Sequence, residues 1–224
     1  MTAEFDHPWN DQTRALVIDP FHSNAIDWAK LQTQPRVAAV IHKSTSATNA
    51  IDPAYFSRRK EARDRGYLWG SYHWGVAGNP EAQADHYIDT VAPAEDELIA
   101  LDLEDATSTA LMDVDEALRF IRRIKARIGR YPVLYTNHAS TVLISSSYNN
   151  TEFASTPLWY ARFKGVVTDF PAGVWQSYTL WQFSSEILAQ FPIPGTTTDI
   201  DVDVFNGSVE QLRERWPLTK RPSQ

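Results

Sequence analysis

The amino-acid sequence predicts an α/β barrel in a single domain, and three observations lead there. Short apolar runs rich in β-branched and aromatic residues alternate with helical patterns through the first two thirds of the chain. These runs are nearly continuous in apolar residues rather than strictly alternating, as befits parallel strands covered by helices. Beyond Thr136 three further strand-like runs follow without helical periodicity between them. Five βα units and three plain strands supply the strand count that closure needs. An open doubly wound sheet is the alternative.

The elements follow in order. Ala15 to Asp19 (Ala-Leu-Val-Ile-Asp) is the first strand and Val37 to Lys43 the second. Asp52-Pro53 then opens a helix as N-cap and first-turn proline, a place where the missing N–H costs nothing, and Gly66 lies just past its end. Tyr67 to Trp74 is the third strand, after which Asn79-Pro80 opens a helix in the same way. Leu98 to Glu104 is the fourth. Asp113-Val-Asp-Glu116 has the form of a capping box, with Val114, Leu118, Ile121, Ile124 and Ile128 as the buried stripe and Gly129 as the stop. Pro132 to Thr136 is the fifth strand. Pro157 to Phe163, Tyr178 to Phe183 and Ile200 to Phe205 are the last three, separated by segments rich in Ser, Thr, Asn, Gly and Pro, and Ser208-Val-Glu-Gln211 starts a terminal helix. The expected layout is an N-terminal extension at 1–14, a barrel domain at 15–217 and a C-terminal tail at 218–224.

Composition removes several function classes. The 224 residues carry a formal charge of −7, which argues against the basic footprint that phosphate neutralisation needs, so no nucleic-acid partner is expected. The basic run from Arg119 to Arg130 is interrupted by apolar residues at helical spacing and fits a solvated helix face. Cysteine is absent, which excludes a thiolate nucleophile, a disulfide and a Cys-ligated metal. No window approaches the ~18 consecutive apolar residues of a membrane span. The opening residues show no basic region followed by an apolar one, so the protein is expected to be made without a classical signal peptide.

The run Leu98-Ile-Ala-Leu-Asp-Leu-Glu104 ends in two carboxylates, Asp102 and Glu104. Alternate residues of a strand share a face, which places their Cα atoms roughly 7 Å apart and turns Leu101 and Leu103 to the helix layer. Asp19 ends the first strand, and Asp201 and Asp203 lie in the last. In a parallel barrel the C-terminal strand ends converge on one mouth, so Asp19, Asp102, Glu104 and Asp201 are expected to meet. Clustered carboxylates repel, raising one pKa while another group stays ionised, as acid–base chemistry requires. Tyr72, Trp74, Tyr135, Trp159, Tyr160 and Trp181 fall at the same strand ends. Singly each suits a core; together, flat faces beside acids suit sugar rings.

Other chemistries fit less well. Asp199 to Asp203 lacks the glycine and terminal glutamate of an EF-hand loop. There is no G-x-S-x-G elbow, no histidine pair spaced to hold zinc around His73, and no glycine-rich phosphate loop. No cofactor and no metal site is expected, although a hard divalent ion held by the four acids remains an alternative.

On these residues the chain resembles the glycoside hydrolase family 25 lysozymes, the Chalaropsis-type N-acetylmuramidases, from about Ala15 to Gly207. Ile18-Asp19 with Ile26-Asp27-Trp28 resembles the family's first strand and helix start, Ile41-His-Lys43-Ser-Thr45 its second strand, and Gly70-Ser-Tyr-His-Trp74 its G-x-Y-H-aromatic strand. Gln83-Ala84, Leu101-Asp-Leu-Glu104 and Leu134-Tyr135-Thr136 are similar to its Q-A pair, D-x-E strand and Y-T strand. Leu158-Trp159-Tyr-Ala161, Leu180-Trp-Gln182 and Ile200 to Phe205 resemble its closing L-W-x-A, L-W-Q and V-D-x-N-x-F segments.

The resemblance implies a modified TIM-type barrel, (β/α)5(β)3, and a peptidoglycan hydrolase that cleaves the β-1,4 bond between N-acetylmuramic acid and N-acetylglucosamine. It implies retention with 2-acetamido assistance, an exception to the two-carboxylate nucleophile scheme. By position Glu104 matches the general acid/base and Asp102 its partner at the acetamido group. Asp19 and Asp201 match supporting acids, and Tyr72, Tyr135 and Trp159 the sugar-lining groups. The expected partner is the peptidoglycan glycan strand, reached after holin-assisted export or injection. Phe21 in Val17-Ile-Asp-Pro-Phe21, and Ser44-Thr-Ser-Ala47, depart from the family's G-x-D-V-S and K-A-T-E-G patterns and bear on subsite shape. A non-catalytic glycan-binding barrel and a metal-dependent hydrolase are the competing functions.

Overall fold

Strand β1 (Arg14–Ile18) pairs on one side with β2 (Val37–Ser46) and on the other with β9 (Val202–Ser208), and this double pairing closes the sheet. The computed structural model describes residues 2–185 and 191–219. Between β2 and β9 the order continues through β4 (Leu68–Trp74), β5 (Leu98–Leu103), β6 (Val133–Asn137), β7 (Leu158–Ala161) and β8 (Leu180–Ser184). Eight strands therefore form the barrel; the two-residue β3 (Ala50–Ile51) only folds back on the end of β2. All pairings from β1 round to β8 are parallel, whereas β9 runs antiparallel to both its neighbours.

Five strands are each followed by a helix, at α1 (Trp28–Leu31), α2 (Tyr55–Asp64), α3 (Pro80–Val91), α4 (Val114–Ile128) and α5 (His138–Ser147). Helix α4 is bounded as its sequence predicts. The Asp113 carboxylate accepts the Glu116 amide, the Glu116 carboxylate accepts the Asp113 amide, and Gly129 takes the left-handed conformation at φ 74° that ends the helix cheaply. Helix α2 begins later than Asp52-Pro53 suggests. The Asp52 carboxylate is divided between the Ala54 amide and His22, so it ties the loop after β1 to this turn. Helix α5 is the helix of the expected fifth βα unit, although no apolar period marks it in the sequence. Asn137 caps it by accepting the Ser140 amide, but its buried face is Ser140, Thr141, Ile144 and Ser145, too polar to show a hydrophobic period.

Strand parity sorts two cores. Leu101 and Leu103 face outward with Ile121 and Ile124 of α4, as expected, while Ala15, Val17, Ala39, Ile41, Leu98, Ala100 and Leu180 fill the barrel interior. Among the described residues no α-helix follows β7 or β8, and the N-terminal segment covers that flank. Trp9 stacks on Phe183 at 4.1 Å between ring centroids, and Phe5 packs against Phe170 and Tyr178. At the end opposite the strand termini of β4 and β5, Leu212 of α6 (Val209–Arg215) and Leu218 pack with Phe205 and Ala15. Of the tail expected from 218, the last five residues lie outside the described residues.

Candidate active site

The C-terminal ends of the parallel strands surround a cleft. Registered pairing carries four inward positions around its wall at one level: Trp74 lies opposite Asp102, Asp102 opposite Tyr135, and Tyr135 opposite Trp159. Glu104 continues the inward parity of Leu98, Ala100 and Asp102 one step past the end of β5 and borders the same cleft. Asp19, immediately after β1, and Tyr72 of β4 complete the wall. The seven side chains given a site role by the resemblance, Asp19, Tyr72, Asp102, Glu104, Tyr135, Trp159 and Asp201, thus meet in one place.

Asp201 arrives by a route the sequence did not reveal. Convergence of C-terminal strand ends cannot place a residue that precedes its strand. It reaches the mouth because β9 is reversed, with the Asp19 amide donating to the Asp201 carbonyl and Ile18 registered on Val202. A second expectation needs correction. Tyr160 and Trp181 lie at the right level but on the outer face, where Trp181 Nε1 donates to the Arg162 carbonyl and the Tyr160 hydroxyl meets His138. Each follows an inward residue of its strand, and parity turns it away.

Sequence reasoning gave no site role to three polar residues here. Gln182 is buried in β8, where its Oε1 accepts the Tyr135 hydroxyl at 2.7 Å and its Nε2 donates to Asp19 Oδ2 at 2.8 Å. Asp203, wholly buried, accepts Trp159 Nε1 at 2.5 Å. The ammonium of Lys43 sits 4.0 Å above the Trp74 ring, a cation–π contact. The signal for Gln182 was available: in Leu180-Trp-Gln-Phe183 it shares the inward parity of Leu180, and a polar group on a buried face needs partners.

The electrostatics follow from burial. Asp102 is pushed well above the usual carboxylate range, first by desolvation and then by the charge of Glu104. Desolvation also raises Glu104, while its hydrogen bond with Asp102 acts the other way. Two carboxyls in contact hold one proton between them across an extended pH range, and their apparent pKa values belong to the pair. Burial lowers Lys43, against the pull of Asp102, Asp52 and Glu104. Burial, reinforced by the surrounding acids, pushes the phenols of Tyr72 and Tyr135 well up, so both stay neutral donors. The aromatic packing is firm: Trp159 meets Tyr135 edge-on at 5.0 Å and Tyr72 at 6.3 Å. A protonated acid pair beside fixed aromatic faces is suited to donating a proton to a sugar leaving group.

Comparison with known proteins gives the same picture. Residues 19–190 match the family described as glycosyl hydrolases family 25. The chain is similar to Lysozyme M1 of Streptomyces globisporus, with 27% identity over 209 residues, covering 87% of this chain and 69% of that protein. It is also similar to the N,O-diacetylmuramidase of Chalaropsis sp, with 30% identity over 193 residues, 78% of this chain and 86% of that one. Among solved structures, the bacterial lysozyme from Streptomyces coelicolor superposes with a TM-score of 0.78 at 25% identity, covering 93% of this chain and all of the other.

Proposed function

Because the chain belongs to glycosyl hydrolase family 25 and is a lysozyme-type glycoside hydrolase, we propose that it cleaves the β-1,4 bond between N-acetylmuramic acid and N-acetylglucosamine in peptidoglycan, with retention and 2-acetamido assistance. The observation that supports this best is the Asp102–Glu104 pair, two neighbouring carboxyls on one strand face, both raised by burial, beneath aromatic walls.

Glu104 is the more exposed partner of the pair and Asp102 the buried one, which supports giving Glu104 the role of acid and Asp102 that of its partner. Glu104 gives its proton to the glycosidic oxygen as the C–O bond breaks, and the acetamido carbonyl oxygen of the same sugar closes on the anomeric carbon. The Asp102 carboxyl holds the acetamido N–H during that closure. Water then attacks the anomeric carbon from the vacated face and delivers a proton to Glu104, which restores the acid and reopens the ring. The two inversions leave the anomeric configuration retained. Asp19 and Asp201 hold sugar hydroxyls, and Tyr72, Tyr135 and Trp159 supply the stacking faces.

Replacing Glu104 with Gln keeps the shape and removes the proton. General acid–base catalysis is worth about 10²–10⁴-fold, so Glu104→Gln should cut release of reducing ends from purified cell walls by that factor, with the circular dichroism spectrum unchanged. Activity within a few-fold of wild type would remove Glu104 from this role. Mass spectrometry of borohydride-reduced muropeptides identifies the bond: reduced N-acetylmuramic acid is expected, and reduced N-acetylglucosamine would overturn the assignment.

A further inference from the structure

Asp203 is wholly buried, carries a carboxyl that the reaction above does not use, and stands beside a second buried carboxyl. On the antiparallel β1–β9 ladder Val17 pairs with Asp203 and the Asp19 amide with the Asp201 carbonyl, which makes Asp19 and Asp203 diagonal neighbours on the inward face. The two carboxyls act on each other directly: the charge of Asp203 raises Asp19, while Asp19 lowers Asp203 as a hydrogen-bonding neighbour. Trp159 Nε1 donates to Asp203 Oδ1, and Gln182 Nε2 donates to Asp19 Oδ2. The other two oxygens, Asp19 Oδ1 and Asp203 Oδ2, are buried and receive no amide, ring N–H or hydroxyl among the described residues. Two facing carboxylates without donors repel; a single proton between them satisfies both orphaned oxygens at once.

We propose that Asp203 is a positioning residue of the site, sharing one proton with Asp19 beneath the cleft and thereby holding the Asp19 carboxyl and the Trp159 indole in one buried network. The chain of contacts runs from the Tyr135 hydroxyl through Gln182 and Asp19 to Asp203 and Trp159, joining four strands and the residue that follows β1. Burial raises both carboxyls well above the usual range, in keeping with a retained proton. The titratable groups facing the pair are Asp201 at the start of β9, Asp102 of β5, and the phenols of Tyr72 and Tyr135. Strands β7 and β8 contribute Trp159 and Gln182, which do not titrate. The functional part of the proposal rests on Asp19 and Trp159 serving the glycan as described above; the shared proton does not.

The test is the thermal midpoint of wild type, Asp203→Asn and Asp19→Asn between pH 4.5 and 8.5. The native wild type keeps a proton that its unfolded chain releases above about pH 4, so its stability falls as pH rises until the pair finally ionises. In Asp203→Asn the amide oxygen accepts from Trp159 and the NH₂ donates to Asp19, and no shared proton is needed. The Tm advantage of the Asn variant over wild type should therefore widen with pH, by up to roughly 3–5 °C per pH unit. Asp19→Asn should show the same widening, which covers the case of one variant failing to fold. A gap that stays flat with pH overturns the shared proton, whether or not the protein hydrolyses any wall.

Activity supplies the positioning half. Asp203→Leu, which breaks both contacts, should lower kcat/KM about tenfold or more through KM. In Asp203→Asn the alkaline limb of kcat/KM should stay where it is in wild type, since the floor carries one negative charge in both. A limb displaced to lower pH would mean that both carboxyls are ionised in wild type, and would refute the proposal.

Discussion

Replacing Asp102 with Asn separates charge from shape at the acid pair. In wild type the last proton leaves a site that already carries one charge, so the alkaline limb of the pH–rate profile is held high. In Asp102→Asn that charge is gone, and the amide can donate to the Glu104 carboxylate, so Glu104 ionises more readily. Both effects have the same sign: the alkaline limb moves toward acid. For two carboxyls on one strand face with charge centres about 5 Å apart, the Coulomb energy is about 3 kcal/mol at an effective dielectric of 20 and half that at 40. At 1.36 kcal/mol per unit this is a displacement of about 1 to 2 pH units. Glu104 is only half-buried, which favours the lower end. The assay is the initial rate of reducing-end release at fixed ionic strength from pH 3 to 9. The height of the profile will also fall, because the acetamido partner has changed, but the limb position is independent of height. A limb that stays put or moves to higher pH would show that the two carboxyls do not share a proton.

Two further outcomes test the scaffold. Gln182→Leu leaves the Tyr135 hydroxyl and Asp19 Oδ2 without their partner, and should cost about 1–3 kcal/mol of stability, together with a raised KM; a thermal midpoint equal to wild type would refute the buried relay. Trp9→Ala removes the ring stacked on Phe183 and should cost about 2–3 kcal/mol in urea denaturation, whereas a dispensable extension would lose nothing.

The parts of this molecule legible in its sequence are those that burial writes there. Runs such as Ala38 to Ile41 and Leu98 to Leu101 are apolar on both faces because one face meets helices and the other fills the barrel, and that pattern belongs to few architectures. Asp102 and Glu104 stood out because carboxylates break such a run. Helix α5 was hidden because its buried side chains are mostly serine and threonine, held by the Asn137 cap and tertiary contact rather than by an apolar stripe. Tyr160 and Trp181 were counted on the wrong face for a related reason: an aromatic residue suits either layer, so residue type alone cannot fix parity in Leu158-Trp-Tyr-Ala161. Gln182 and Asp203 act on the cleft through other side chains, and such connections are set by three-dimensional register rather than by local pattern.

Strand direction is the deepest of these omissions, because alternation reads the same from either end. Ile200-Asp-Val-Asp-Val-Phe205 is equally good as a strand entering or leaving the mouth, yet the chemistry depends on which it does. With β9 reversed, its acids come first at the open end and Phe205 lies below them with Ala15 and Leu212. Run parallel to its neighbours, the same strand would carry its acids toward the closed end, among apolar side chains such as Ala15, Leu212 and Leu218, where a buried carboxyl without a partner would cost several kcal/mol. The reversed strand instead meets Asp19, Gln182 and Trp159, groups that can hydrogen-bond it. The acids of the last strand are therefore better satisfied in the observed direction, and that direction is the one that completes the cleft.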